Sequence, residues 1–167
     1  MLNNNPVLIY RKAEIKDLDA MIDLILEDDI AEIRDNKSLL ENYINAFHKI
    51  NSDPNQYLML VEIESKVVAM CQLTIIPYLT FGGSLRMQIE TVRVAKKYRS
   101  QKIGFQMMKE AISYAQNKGV KIVQLTTNKK RDRAKNFYEK LGFEASHEGM
   151  KCNSLHLILQ YVKLLIK

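Results

Sequence analysis

The segment 88–108, QIETVRVAKKYRSQKIGFQMM, decides how the rest of the chain is interpreted. Its apolar residues first alternate with polar ones, which predicts a β-strand, and then recur at helical spacing from about Gly104. Between the two lies a turn that carries Lys96, Lys97, Arg99 and Lys102 and no acidic residue. A basic turn rich in backbone N–H groups that runs into a helix N-terminus is typical of an anion site. The segment therefore predicts a site for the phosphates of a nucleotide-like cofactor.

Charge is unevenly distributed along the chain, which has a net charge of +6. Residues 14–41 include ten acidic and three basic side chains, whereas residues 93–102 include five basic and no acidic ones. Residues 118–135 include seven basic side chains and only Asp132. A nucleic-acid-binding domain is the obvious alternative for such basic patches. The chain shows no interleaved aromatic residues, zinc-ligand spacing or recognition-helix pattern, so we expect no nucleic-acid partner.

Length and composition fit one globular domain. The 167 residues, 47% of them hydrophobic and 26% charged, can bury a sizeable core. Cys71 and Cys152 lie far apart and outside any CxxC pattern, which suggests a reducing compartment and leaves a disulfide between them open. The first ten residues lack the regions of a signal peptide, and no window approaches the apolar length of a membrane span. We expect a cytoplasmic protein with no membrane partner, and the sequence leaves a homodimer open.

Hydrophobic periodicity predicts the order β-α-α-β-β-β-α-β-α-β, an α/β chain with a mixed sheet. Ser38 and Glu41 have the spacing of a capping box, which predicts the start of the second helix. The predicted strands are 7–11, 57–63, 67–76, 85–94, 121–126 and a last one from Phe143 onward. The apolar tail after Cys152 fits a final strand and a helix equally well.

Two segments together resemble the GNAT superfamily of acetyl-CoA-dependent N-acetyltransferases. I-E-T-V-R-V followed by Y-R-S-Q-K-I-G is similar to that family's cofactor strand and its Arg/Gln-x-x-Gly-x-Gly/Ala loop, with Arg99 first and Gly104 last. Lys102 replaces the middle glycine, so we expect an unstrained φ there, because glycine's freedom is lost. R-A-K-N-F-Y-E-K-L-G-F, residues 133–143, resembles the family's A-x-x-hydrophobic-Tyr-x-x-x-Gly-Phe signature. The combination is specific because a helix and a strand separate the two motifs.

The resemblance implies one N-acetyltransferase domain over 1–167, clearest over 7–151, with acetyl-CoA (coenzyme A) as its cofactor. The implied architecture is the GNAT-like acyl-CoA N-acyltransferase fold: α/β (three-layer α+β), with helices on both faces of a mixed, mostly antiparallel central sheet. A parallel strand pair in that sheet splays apart, and the pantetheine arm lies in the gap. The strands would be those ending near Val94 and Thr126. The implied cofactor-binding residues are Val92, Arg93, Val94, Arg99, Ser100, Gln101, Lys102, Ile103, Gly104, Asn128 and Arg131.

Two residues are candidates for catalysis, and the resemblance implies the role of the first. Tyr138 matches the family's general acid, and a phenol of pKa about 10 can protonate a coenzyme A thiolate with little mismatch. Its alternative role is that of an ordinary core tyrosine. Glu90 interrupts an apolar strand just before the cofactor segment, and we expect a partly buried carboxylate whose raised pKa suits a base. Its alternative is a solvated residue, or an ion pair with Arg86 or Arg93.

The acceptor is less well defined. In this family the first two helices and the 77–84 connection usually border the acceptor site, and that first region is acidic here, with Asp28, Asp29 and Glu32. This predicts a small cationic amine such as a polyamine or an aminoglycoside, with a protein lysine or N-terminus as a further option, acetylated by direct transfer in a ternary complex. The three histidines have no metal-ligand spacing, so no metal is predicted. A catalytically weak acyl-CoA-binding regulatory module is the alternative function.

Overall fold

The computed structural model describes residues 6–27 and 35–152 and has a central sheet with helices on both faces. Its strands and helices, in chain order, are β1 (Ile9–Lys12), α1 (Leu18–Leu26), α2 (Leu40–Ser52), β2 (Gln56–Ile63), β3 (Lys66–Pro77), α3 (Thr80–Gly83), β4 (Leu85–Val94), α4 (Ile103–Asn117), β5 (Val120–Leu125) and α5 (Asp132–Glu139). α3 is a single turn that contains left-handed residues. The predicted order of the longer elements is confirmed as far as α5.

The five described strands pair in the order β1-β2-β3-β4-β5. All neighbours are antiparallel except β4 and β5, which are parallel and are connected through α4. The mixed, mostly antiparallel sheet is therefore confirmed. Pairing between β4 and β5 ends at Ile89 and Leu125, although β4 continues to Val94. The last part of β4 thus has no strand partner on the β5 side within the described residues.

Two apolar clusters attach the helices to opposite faces of the sheet. α4 contributes Met107 to one cluster, which also contains Met87 and Ile89 of β4. α1 and α2 cover the other face at Leu60 and Met70. Burying a side chain of this size stabilises the fold by about 1.5–3 kcal/mol. Because alternate residues of β4 face α4, the residues between them face the side of α1 and α2.

Two local predictions are wrong. α2 does not begin with a capping box at Ser38, because the Asn36 side chain accepts the Ser38 N–H and a 3-10 turn over Lys37–Leu39 leads into the helix. Asparagine side chains readily accept a backbone N–H two residues later, which makes Asn36 the earlier and stronger start signal. The strand predicted from Phe143 is not formed by residues 143–152. Residues 28–34 and the rest of the tail, 153–167, lie outside the described residues.

Two further expectations concern the cysteines and membrane-spanning helices. Cys71 is buried and Cys152 is exposed, and both are free thiols, so the disulfide that the sequence left open is not formed. In the part of the chain that the structure covers, no helix is long and apolar enough to cross a membrane.

Candidate active site

A bulge interrupts β4 where it parts from β5. Two residues of β4, Thr91 and Val92, stand opposite a single residue of β3, Cys71. Thr91 has φ of +52°, which is an outlier for a β-branched residue and stores roughly 1–3 kcal/mol of strain. Bulges bend a strand and re-aim its neighbouring groups. The opening between β4 and β5 therefore coincides with a strained, specifically held piece of backbone.

Two arginines occupy the backbone carbonyls along the open edge of β4. The Val92 carbonyl accepts a hydrogen bond from Arg93 Nη1 at 3.1 Å, and the Val94 carbonyl accepts one from Arg99 Nε at 3.0 Å. Residues two apart in a strand direct their backbone groups the same way. An extended ligand can add to such an edge as a strand does. Such a ligand would have to share the two carbonyls with the guanidinium groups or displace the guanidinium groups from them.

The loop between β4 and α4, residues 95–102, leads into a helix N-terminus, and we call it the anion loop. Ser100 has φ of +64° and Lys102 has φ of +63°, so both are left-handed. α4 then begins at Ile103 with no side-chain cap and no acidic residue in its first turn. The first N–H groups of this helix therefore lack a side-chain acceptor, and an anion can supply one.

The backbone of Lys102 corrects the prediction made from the sequence. An unstrained φ was expected because lysine lacks glycine's freedom, yet Lys102 adopts the left-handed conformation that glycine takes without cost. For a residue with a Cβ atom this costs about 1 kcal/mol or slightly more. The loop thus keeps the backbone geometry of a glycine at a position that has none.

Gly104 joins three elements at the start of α4. A Cβ atom at this position would lie 3.3 Å from Val94 Cγ2 and 3.7 Å from Phe137 Cζ. Ile103, which is 2% exposed, anchors the same turn in the core. Gln101 Nε2 donates to the Lys97 carbonyl at 2.9 Å and closes the loop on itself. A bulky residue at 104 would therefore separate the anion loop from the end of β4.

Tyr138 of α5 lies between two aromatic rings. Its ring centroid is 5.1 Å from that of Phe137 and 5.9 Å from that of Phe143, both edge-on. Burial raises the pKa of the Tyr138 phenol, and the positive charges of Arg93 and Arg131 act in the opposite direction. With the pKa above its usual value, the phenol is protonated at neutral pH and can only donate a proton.

Two predicted site residues have environments that differ from expectation. Glu90 is exposed on the sheet face, so the partial burial on which its role as a base was argued is absent. Asn128 is also exposed, and its Oδ1 accepts the Lys130 N–H at 2.9 Å, which stabilises the loop after β5. Arg131, by contrast, is half-buried directly before α5 and acts electrostatically on Tyr138.

One contact of the site has no signal in the sequence. The carboxylate of Glu27, one residue beyond α1, accepts the backbone N–H of Lys96 in the basic turn. The two residues lie 69 positions apart, and Glu27 looks like any acidic residue on an exposed helix face. The contact ties the end of α1 to the start of the anion loop.

No metal site accompanies these groups in the described ranges. Residues 6–27 and 35–152 contain no cluster of His, Cys, Asp and Glu side chains that could hold a metal ion. His48 and His147 are exposed, and His156 lies outside the described residues.

The fold and the loop are those of an acetyltransferase. A family model described as the Acetyltransferase (GNAT) family matches residues 18–143. The chain therefore belongs to the GNAT family, whose members use acetyl-CoA, and its class is that of an acetyl-CoA-dependent N-acetyltransferase.

Three proteins are similar to the chain over most of its length. The chain is 30% identical over 142 residues to the aminoalkylphosphonate N-acetyltransferase of Salmonella typhimurium, covering 85% of this chain and 88% of that protein. It is similar to a structure described as a transcriptional regulator from Bacillus halodurans C-125, with 40% identity, a TM-score of 0.84, and coverage of 88% of this chain and 99% of that one. Glucosamine-6-phosphate N-acetyltransferase from Arabidopsis thaliana shares the fold at 22% identity, with a TM-score of 0.74 and coverage of 89% and 99%. The predicted GNAT-like fold is confirmed.

Proposed function

We propose that this protein moves the acetyl group of acetyl-CoA to the primary amine of a small molecule by direct transfer in a ternary complex. The observation that carries the proposal is the opening of the sheet. β4 parts from β5 after Ile89, at a strained bulge, with the left-handed loop 99–104 at the end of the same strand. Tyr138, which holds a proton at neutral pH, packs against the apolar cluster between α4 and the sheet.

The residues around the opening fit the cofactor. Bound acetyl-CoA would supply an activated acetyl group, and the open edge of β4 at Val92 and Val94 would pair with its pantetheine arm. Residues 99–104 would hold the pyrophosphate through backbone N–H groups, with the side chains of Arg99, Ser100, Gln101 and Lys102 around them and Ile103 and Gly104 fixing the turn. Arg93 and Arg131 would add positive charge nearby. Asn128 would contribute least, because its side chain already stabilises its own loop.

Three groups of the chain would handle protons and charge. Tyr138 would donate its proton to the departing sulfur, because its raised pKa keeps the phenol protonated at neutral pH. Glu90, exposed on the open face of the sheet, would accept the proton of the incoming ammonium through water. The backbone N–H of Val92, re-aimed by the bulge, would stabilise negative charge on the acetyl oxygen, a contribution of about 2.7–4 kcal/mol for one well-placed donor.

The state of the buried thiol argues against a transfer route through an acetylated Cys71 and so favours direct transfer over that route. Burial raises the pKa of Cys71 to about 12, so this side chain is not a thiolate at neutral pH and is a poor acyl carrier. We expect initial-rate plots against the two substrates to intersect and no acetylated protein to accumulate with acetyl-CoA alone. Parallel plots together with an acetylated intermediate in mass spectrometry would contradict the ternary complex.

Two acceptor classes are supported by separate observations. The acidic segment predicts cationic amines, although Asp28, Asp29 and Glu32 lie outside the described residues. The Salmonella relative is named for aminoalkylphosphonates, which combine a primary amine with an acid group. A single domain over 1–167 that works in the cytoplasm completes the proposal.

The test is release of coenzyme A thiol from acetyl-CoA over a panel of amines, with Tyr138→Phe as the variant. We expect Tyr138→Phe to lower kcat by about 100-fold or more, as loss of a general acid does. Tyr114→Phe is the matched control, because Tyr114 is a tyrosine of α4 that stacks on Tyr57 at 4.7 Å, outside the proposed site. Equal rates for the Tyr138 variant and the wild type would remove Tyr138 from the mechanism. Binding of acetyl-CoA without thiol release from any amine would favour the regulatory alternative.

A further inference from the structure

A row of polar side chains crosses the sheet on the face opposite α4, beside the residues that pack against α1 and α2. Met87 and Ile89 of β4 face the core under α4, so the residues that alternate with them lie on the opposite face. That face is apolar where α1 and α2 pack, and beyond them it is mostly polar, with Ile76 and Ile122 on either side of Arg86. We call the polar residues of this part the polar sheet face; they are Gln56, Gln72, Thr74, Arg86, Gln88, Glu90 and Gln124.

Hydrogen bonds fix the side chains at the β5 end of this face. Arg86 Nη1 donates to Gln124 Oε1 at 2.9 Å, and Gln124 Nε2 donates to Gln88 Oε1 at 2.8 Å. The arginine is half-buried, and its guanidinium carbon lies 3.8 Å from the centroid of the Tyr78 ring. Stacking and hydrogen bonding together hold the planar guanidinium in one orientation, which lowers the entropy that a ligand must remove on binding.

The Arg86 charge has no counter-charge among the residues that the structure describes. No carboxylate within residues 6–27 and 35–152 forms an ion pair with it, and its Nε is buried without a hydrogen-bond partner. A half-buried cation without an anion is costly unless a ligand provides one. Phosphonate and carboxylate groups match the fork of a guanidinium better than any neutral ligand does.

Arg86 and Glu90 carry opposite charges at different positions along β4 on the polar sheet face. The two residues lie four positions apart on β4, about 13 Å between Cα atoms at 3.3 Å per residue, with Gln88 between them. Glu90 borders the bulge at Thr91, where the acetyl group would be transferred. A small molecule whose acid group contacts Arg86 and whose ammonium lies near Glu90 would meet a positive charge at one end and a negative charge at the other.

We propose that Arg86 binds an acid group of the acceptor, so that the substrates are small primary amines that also carry a phosphonate or a carboxylate. The proposal rests on the transfer activity argued above and selects between its two acceptor classes. Arg86 is then the residue that determines specificity, Gln124 and Gln88 are the residues that position it, and purely cationic amines are poor substrates.

The experiment compares specificity constants for four amines, aminoethylphosphonate, β-alanine, propylamine and cadaverine, in the wild type and in Arg86→Gln. We expect kcat/KM for the two acid-bearing amines to exceed that for propylamine at least tenfold in the wild type, and this ratio to fall by about 10- to 100-fold in Arg86→Gln, mainly through KM. Arg86→Lys, which keeps the charge but not the fork, should give an intermediate ratio. Arg133→Gln, at an exposed position of α5, is the matched control and should keep the wild-type ratio.

Three outcomes would overturn the proposal. They are a wild-type preference for cadaverine, equal constants for acid-bearing and neutral amines, or an unchanged ratio in a folded Arg86→Gln protein. Calorimetric titration of aminoethylphosphonate into the coenzyme A complex tests binding without turnover, and Arg86→Gln should weaken it at least tenfold. Binding that depends on Arg86 without thiol release would refute the transfer activity and keep the acid-binding role, so the two failures are distinguishable.

Discussion

The left-handed Lys102 allows the backbone and the charge of the anion loop to be tested separately. Lys102→Gly removes both the ammonium and the strain, whereas Lys102→Ala removes the ammonium and keeps a Cβ atom at φ +63°. Relieving the left-handed conformation gains about 1–2 kcal/mol, and glycine's extra freedom in the unfolded chain costs about 0.5–1 kcal/mol. We therefore expect Lys102→Gly to raise the free energy of unfolding by about 0.5 kcal/mol or slightly more. Lys102→Ala should bring no gain.

Urea unfolding of the two variants and the wild type measures this difference. For a chain of this size, 1 kcal/mol corresponds to roughly 2–4 °C in Tm, so a thermal melt resolves it as well. Both variants lose the same ammonium, so both should bind coenzyme A more weakly and with a smaller salt dependence than the wild type. A Lys102→Gly protein no more stable than Lys102→Ala would refute the backbone argument, whatever the affinities are.

Three further predictions follow from the site and its supports. Gly104→Ala should lower the free energy of unfolding in urea by less than about 1 kcal/mol, because Val94 is half-buried and can move a few tenths of an ångström. Gly104→Leu, by contrast, should lose the coenzyme A binding that calorimetry measures. Hydrogen bonds from Arg11 are the chief cause of the lowered pKa of Asp17. The carboxylate therefore stabilises the fold above its unfolded pKa near 3.8, and this stability is lost as the pH falls through the lowered pKa. Asp17→Asn should lower the free energy of unfolding by about 2 kcal/mol at pH 7 and make its pH dependence flatter below about pH 4. Glu90→Gln should lower kcat/KM by about 100-fold near pH 7 in thiol-release assays if the carboxylate accepts the amine proton, and a full-rate variant would exclude that role.

The sequence predicted most of the sheet because its signals are local. Alternation in 85–94 predicts β4, and the short interval between the predicted strands 57–63 and 67–76 predicts a tight turn between them. Both are found in the structure, where Glu64 and Ser65 form the turn. The start of α2 was misplaced because Asn36 and Ser38 are both good cap residues, and only the backbone around them decides which one accepts.

The candidate site was predictable to a smaller extent. Motifs, which record local geometry, predict the roles of the loop 99–104 and of Tyr138, and these roles stay predictions. The bulge at Thr91 was not predictable, because a β-branched residue at positive φ has no sequence signal and exists only where the tertiary structure enforces it. The polar sheet face could have been seen in the alternation of polar residues at 72 and 74 and at 86, 88 and 90. What could not be seen is which residues of this face pack against α1 and α2.

The contact from Glu27 to the Lys96 N–H has a consequence for how the two substrates affect each other. It joins a helix that borders the proposed acceptor side to the loop proposed for the cofactor phosphates. If an acceptor shifts the end of α1, it changes the affinity for acetyl-CoA, and thermodynamic reciprocity requires acetyl-CoA to change the affinity for that acceptor by the same factor. Replacing Glu27 with glutamine, which still offers an oxygen, or with alanine, which does not, would show how much of that mutual dependence passes through one carboxylate.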